Sequence, residues 1–180
     1  MTTSALSPSG AITFSDIAGF TRFTLEAGDV AALALLDEFE SIVRTALPSG
    51  GRIVKMLGDG VLTFVPDACA ALHGAAEQQR RFAACASAEL PLWVRTGVHF
   101  GSPIERGGDL FGHDVNLASR VADQAIPGEI LATAAAIAAA GPDAGLQLAE
   151  IGPVFVKGID DAIRLFRVEA TLPVVDPASC

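Results

Sequence analysis

The chain has 180 residues, 51% of them apolar, and a formal charge of −9. That length and apolar content suit a single domain with a core of its own. The acidity excludes an ordinary nucleic-acid surface, where clustered Lys and Arg supply most of the affinity.

Residues 1–10 are rich in Ser, Thr and Pro and read as a loose tail. Residues 11–14 form a short apolar strand that turns at Ser15-Asp16, and Ala18-Gly19-Phe20-Thr21 opens a short helix. Asp29 caps a helix to about residue 47, with Leu33, Leu36, Phe39, Ile42 or Val43, and Ala46 on its apolar stripe. Pro48-Ser49-Gly50-Gly51 stops it. Residues 52–57 and 61–65 are strands around Gly58-Asp59-Gly60, a strong hairpin signal. Pro66 and Asp67 open an alanine-rich helix to about residue 87. Residues 92–100 and 102–106 read as a strand pair around Gly101, and residues 112–123 as a helix burying Val115, Ala118 and Val121. A strand at 129–132, a helix at 133–140 and strands at 149–156 and 163–168 around Lys157-Gly158 complete the domain of residues 11–170. Residues 171–180 read as a second tail. The order predicts an α+β fold: a ferredoxin-like βαββαβ core, helices on one face of a mostly antiparallel sheet, with extra C-terminal strands and helices. No run approaches the roughly 18 apolar residues of a membrane-spanning helix. Cys69, Cys85 and Cys180 lack a C-x-x-C spacing and point to a reducing cytosol.

Three stretches carry chemistry: Phe14-Ser15-Asp16-Ile17-Ala18-Gly19-Phe20-Thr21, Lys55-Met56-Leu57-Gly58-Asp59-Gly60, and Asp109-Leu110-Phe111-Gly112-His113-Asp114-Val115-Asn116-Leu117-Ala118-Ser119-Arg120. In a ferredoxin-like sheet the first strand and the hairpin are neighbours, so Asp16 and Asp59 can converge although 43 positions separate them. Converging carboxylates suit Mg²⁺, which takes its other ligands from water and phosphates. Each Asp also reads as an ordinary turn residue. The backbone N–H groups at a helix start near Phe20 and Thr21 suit an anion. Adenine offers an acceptor at N1 and a donor amine at position 6, and guanine reverses both. A Lys only donates and an Asp only accepts, so Lys55 and Asp109 in fixed register suit adenine. Asn116 and Arg120, four apart, share a helix face.

Over about residues 11 to 168 the order and spacing of these stretches resemble the catalytic domain of class III nucleotidyl cyclases, the adenylyl and guanylyl cyclase family. The resemblance implies an adenylate cyclase of the cytoplasm, converting ATP to 3′,5′-cyclic AMP and pyrophosphate for intracellular signalling. It implies two Mg²⁺ (or Mn²⁺) ions per site, held by Asp16, Asp59 and the backbone carbonyl of Ile17. The amides of Phe20 and Thr21 and the Lys157 side chain would bind phosphates. Lys55 and Asp109 would read the base, Asn116 would hold the ribose and Arg120 the α-phosphate. Adenylyl members have Lys and usually Asp or Thr at the two base positions; guanylyl members have Glu and Cys or similar. The family's head-to-tail homodimer would take the metal residues from one subunit and Lys55, Asp109, Asn116 and Arg120 from the other. The chain's two lysines, Lys55 and Lys157, beside ten arginines, adjoin the glycine turns where the family keeps nucleotide-binding lysines. Departures are Ile159, where many members carry a second basic residue, the lack of an Arg shortly after Gly97-Val98-His99, and Phe111 where Trp is frequent. His99 reads as a strand residue and His73 as part of a solvated helix face. The competing readings are a cyclase for GTP or a pyrimidine triphosphate, and a non-catalytic nucleotide-binding regulatory module. Neither nucleic acid nor membrane is an expected partner.

Overall fold

The computed structural model describes residues 7–142 and 144–170. Of the expected tails, residues 1–10 and 171–180, residues 1–6 and 171–180 lie outside the described residues, and Gly10 already belongs to the first strand. The elements are β1 (Gly10–Ile17), α1 (Phe20–Ala27), α2 (Asp29–Thr45), β2 (Arg52–Met56), β3 (Gly60–Val65), α3 (Ala68–Cys85) and β4 (Val94–Gly101). They continue as β5 (Ile104–Arg106), β6 (Asp109–Phe111), α4 (His113–Gln124), β7 (Ile130–Thr133), α5 (Ala134–Ala140), β8 (Leu148–Val154) and β9 (Ile163–Val168). The main sheet has the order β2-β3-β1-β4-β7-β9-β8. Its first four strands are the antiparallel ferredoxin-like core; β7 joins parallel to β4, and β9 and β8 follow antiparallel. Among the described residues no helix is long and apolar enough to cross a membrane.

The sheet is covered on both faces rather than one. Odd-numbered β1 residues Ala11 and Ile17 pack toward α3 and α2, whereas Ile12 packs with Leu62, Val115 and Ala118 beneath α4. A central strand whose two faces are both apolar needs a layer on each, and α4 supplies the second. Gly97 of β4 sets how closely α4 sits: a Cβ there would lie 2.2 Å from the Ala122 backbone nitrogen.

Two further expectations change. Leu33 is 60% exposed; the buried stripe of α2 is Ala32, Leu35, Phe39, Ile42 and Val43, because the core lies one residue around the helix. Residues 104–106 do not pair with β4. Pro103 interrupts the chain, the Ser102 N–H is taken by the Asp114 carboxylate at 2.7 Å, and β5 pairs instead with β6 in a separate two-stranded ribbon. Gly107 (φ 62°) and Gly108 (φ 84°) form its tight turn, a backbone region where glycine is favoured.

Candidate active site

Asp16 lies inside β1, not in a turn, directly opposite Gly60 of β3. The hairpin tip is drawn against the end of β1, where the Ile17 N–H donates to the Asp59 carbonyl at 2.9 Å. A Cβ on Gly60 would stand 3.0 Å from the Ser15 carbonyl oxygen and 3.2 Å from the Asp16 Cβ, so glycine permits this approach. Asp16, Asp59 and Asp123 of α4 line one cavity of about 190 Å³. Arg95 of β4 donates to Asp16 Oδ2 through Nη2 and through Nε, the latter at 3.2 Å. Burial pushes the Asp16 carboxyl above its ordinary range, the Arg95 hydrogen bond and charge pull it down, and the Asp59 and Asp123 charges push it up.

The carboxylate cavity fits a hard divalent cation. Among the described residues no three His, Cys, Asp or Glu side chains group closely enough to enclose a metal ion. Two neighbouring carboxylates without a protein cage match Mg²⁺, which keeps water and phosphate ligands.

The two residues expected to read the base are brought together. Lys55 of β2 donates to Asp109 Oδ2 at 2.6 Å, and its Nζ lies 5.9 Å from the centre of the Phe111 ring. Asp109 Oδ1 accepts the Leu110 N–H at 2.7 Å, so both oxygens are engaged. The Lys55 hydrogen bond, with the Leu110 N–H and the charges of Lys55 and Arg52, holds the Asp109 carboxyl below its ordinary range against desolvation. A β-bulge puts Lys55 there: Ile53 pairs with Thr63 and Lys55 with Leu62, leaving Val54 unpaired. Lys55, Phe111, Asn116 and Ser119 line a cavity of about 420 Å³ that shares Phe14, Leu57 and Ser119 with the carboxylate cavity.

The remaining candidates stand apart. Arg120 is exposed and ion-paired with Asp123 at 3.0 Å, and it lines neither cavity. Phe20 and Thr21 open α1 behind Gly19 (φ 77°), which has no side-chain cap; Phe20 packs partly into the α2 core and Thr21 is exposed. Neither lines the carboxylate cavity. Lys157 follows β8 in the turn to β9. Strand directions start that turn at the end of the sheet opposite Asp16, and Val156 then packs back against Leu117 and Val121 of α4 and Leu131 of β7.

Sequence reasoning missed Arg95, Asp123 and Arg52. Arg95 was readable only from the register that sets it opposite Asp16. His99 is a buried strand residue, as expected, with Nδ1 2.9 Å from Thr133 Oγ1 and Nε2 3.5 Å from Asp114 Oδ1. Burial holds its imidazole below the ordinary range, against the Asp114 carboxylate. His73 is exposed on α3. A cavity of about 440 Å³ beside Gln79, Trp93 and Ile126 includes none of the candidate residues.

The chain is similar to known proteins in sequence and in fold. An uncharacterized protein of Mycobacterium tuberculosis is 36% identical over 158 residues, 87% of this chain and 40% of the relative. A pH-sensitive adenylate cyclase of the same species is 32% identical over 162 residues, again 87% of this chain and 40% of the relative. An adenylate cyclase of Streptomyces coelicolor is 38% identical over 112 residues, 62% of this chain and 29% of the relative. The chain thus spans about 40% of the length of the first of these relatives. In fold it matches an adenylyl cyclase from P. aeruginosa (TM-score 0.78, 24% identity, 93% of this chain and 96% of that one). It also matches a guanylyl cyclase (TM-score 0.77, 19% identity, 92% and 94%), so the fold does not choose between bases. The family model of the adenylate and guanylate cyclase catalytic domain matches residues 5–170, and the chain belongs to that family.

Proposed function

We propose that this domain is an adenylyl cyclase that converts ATP to 3′,5′-cyclic AMP and pyrophosphate. The observation that carries the reading is the Lys55–Asp109 pair, 2.6 Å apart, of which Lys55 lines a cavity together with Asn116. The Lys55 ammonium donates to adenine N1 and the Asp109 carboxylate accepts from the 6-amine; guanine would meet a donor with a donor and an acceptor with an acceptor.

Asp16, Asp59 and the Ile17 carbonyl would hold two Mg²⁺ or Mn²⁺ ions, which when bound supply a lower pKa for the ribose 3′-hydroxyl and neutralise triphosphate charge. The 3′-oxygen bonds to the α-phosphorus, the bond from that phosphorus toward the β-phosphate breaks, and pyrophosphate leaves. Asn116 orients the ribose for in-line attack, and Arg120 stabilises charge on the α-phosphate. The amides of Phe20 and Thr21 and the ammonium of Lys157 hold the other phosphates.

The site is completed between two copies in a head-to-tail homodimer. Support comes from Lys157 and Arg120, neither of which lines either cavity of its own chain. A two-fold axis would set these groups from one subunit against the carboxylates of the other, twice per dimer.

The test is incubation of the purified protein with Mg²⁺ or Mn²⁺ and each of the four ribonucleoside triphosphates, with products resolved by chromatography. Cyclic AMP formed in preference to the other three is the expected result. Cyclic GMP or a cyclic pyrimidine nucleotide as the main product would reassign the base, and the absence of any cyclic product would leave a nucleotide-binding module.

A further inference from the structure

The Gly107–Gly108 turn carries Asp109 on a ribbon of two three-residue strands that makes no hydrogen-bonded ladder with the main sheet. Two short strands alone are marginally stable, and a two-glycine turn has no side chain to fix its direction. The orientation of Asp109 must therefore be set from outside the ribbon. Leu110 anchors it by burial beneath α4. The polar attachment comes from β2. Arg52 Nη1 donates to the Gly108 carbonyl at 2.8 Å, and its Nη2 lies 3.2 Å from Glu105 Oε2. One guanidinium thus hydrogen-bonds the turn and ion-pairs with the first strand of the ribbon, its Nη2 making no hydrogen bond of its own, and it lies over the Phe64 ring at 5.7 Å.

Arg52 and Lys55 are three apart, and in a regular strand they would face opposite sides. The bulge at Val54 brings both side chains to the ribbon. We infer that Arg52 is a positioning residue for base selection: it clamps the β5–β6 ribbon onto β2 so that Asp109 and Lys55 meet the base in fixed register. Arg52, like Asp109, lines neither cavity; it makes no hydrogen bond to Lys55 and acts through the ribbon that carries Asp109. The inference rests on the proposed reading of Lys55 and Asp109.

The test measures kcat and KM for ATP and GTP in four variants: Arg52→Met, Arg52→Lys, Glu105→Gln and Asp109→Asn. Arg52→Met keeps the aliphatic stem over Phe64 and removes the fork. It is expected to raise the KM for ATP and cut the ATP-over-GTP preference by about tenfold, the scale of one lost charge-assisted hydrogen bond, with kcat at saturating ATP within about threefold. Arg52→Lys should recover the preference only in part, because an ammonium cannot span both partners. Glu105→Gln, which leaves the Gly108 contact intact, should show a smaller change in the same direction and covers the case in which Arg52→Met fails to fold. If Asp109→Asn collapses the preference while the foldable Arg52 and Glu105 variants keep it, the clamp is refuted and the base reading stands. If Asp109→Asn leaves the preference unchanged, the base reading is refuted and the clamp with it.

Discussion

Lys55 Nζ and Asp109 Oδ2 stand 2.6 Å apart although 54 positions separate them in the chain. They meet because a bulge redirects β2 and a glycine turn folds the β5–β6 ribbon over it. A donor-only group and an acceptor-only group held side by side form the complement of adenine's edge. Exchanging their roles should exchange the preference. Lys55→Glu with Asp109→Cys is expected to lower kcat/KM for ATP by at least about a hundredfold, since two base contacts are lost and their partners left unpaired. The relative use of GTP should rise. Steady-state kinetics with both nucleotides measures it, and unchanged ATP kinetics would remove both residues from base recognition.

The same pair gives a pH signature in stability. The Asp109 carboxyl is held below its ordinary value of 3.8, chiefly by the Lys55 hydrogen bond. A depressed folded-state pKa means that the contribution is present above pH 3.8 and is lost as pH falls through the folded value. Both side chains are more than 30% exposed, so the contribution is that of a screened surface pair, about 0.2–1 kcal/mol. Wild type should therefore exceed Asp109→Asn in unfolding stability near pH 7, and the gap should close in acid below the folded value. Denaturant unfolding at the two pH values checks this.

Gly97 is a structural rather than a chemical requirement. A Cβ there would lie 2.2 Å from the Ala122 nitrogen and 2.7 Å from its Cα, both backbone atoms that cannot swing aside. Gly97→Ala should displace α4, which carries Asn116 and Arg120, at a cost of about 1–3 kcal/mol. Urea unfolding together with a cyclase assay should show stability and activity falling together; a stable, active variant would mean that α4 accommodates the methyl.

Much of the fold was legible because its signals are local. The Gly58-Asp59-Gly60 hairpin, the Asp67-capped α3 and the final strands follow from turn residues and apolar period, and the element order implied the core topology. Helix α2 forms as expected, but Asp29 is its first residue and the cap position is Gly28, with no side-chain cap. The two carboxylates were legible because adjacent strands leave few places for them to go. The β5–β6 ribbon was not, since pairing of residues 102–106 depends on what Pro103 and Asp114 do to the chain after β4. Nor was α4's place on the second face, which follows from β1 being apolar on both sides. Arg95 and Arg52 were missed for one reason: their partners are set by strand register and by a bulge, and neither leaves a mark in residue order.

The claim that catalysis is built between two copies is tested most directly by mixing two inactive variants. Within one chain the Asp16 and Lys55 cavities adjoin, yet neither Arg120 nor Lys157 lines either of them. Asp16→Asn and Arg120→Ala are each expected to reduce cyclic AMP formation by about a hundredfold or more as homodimers, the scale for removing preorganised charge from a transition state. A mixed dimer gathers both substitutions in one site and leaves the other intact. Random exchange makes about half the dimers mixed, each with one good site, so coexpressed variants should recover to about a quarter of wild-type activity. If heterodimers verified by mass stay at the background of either parent, Asp16 and Arg120 serve a site within a single subunit, and the shared-site account is wrong.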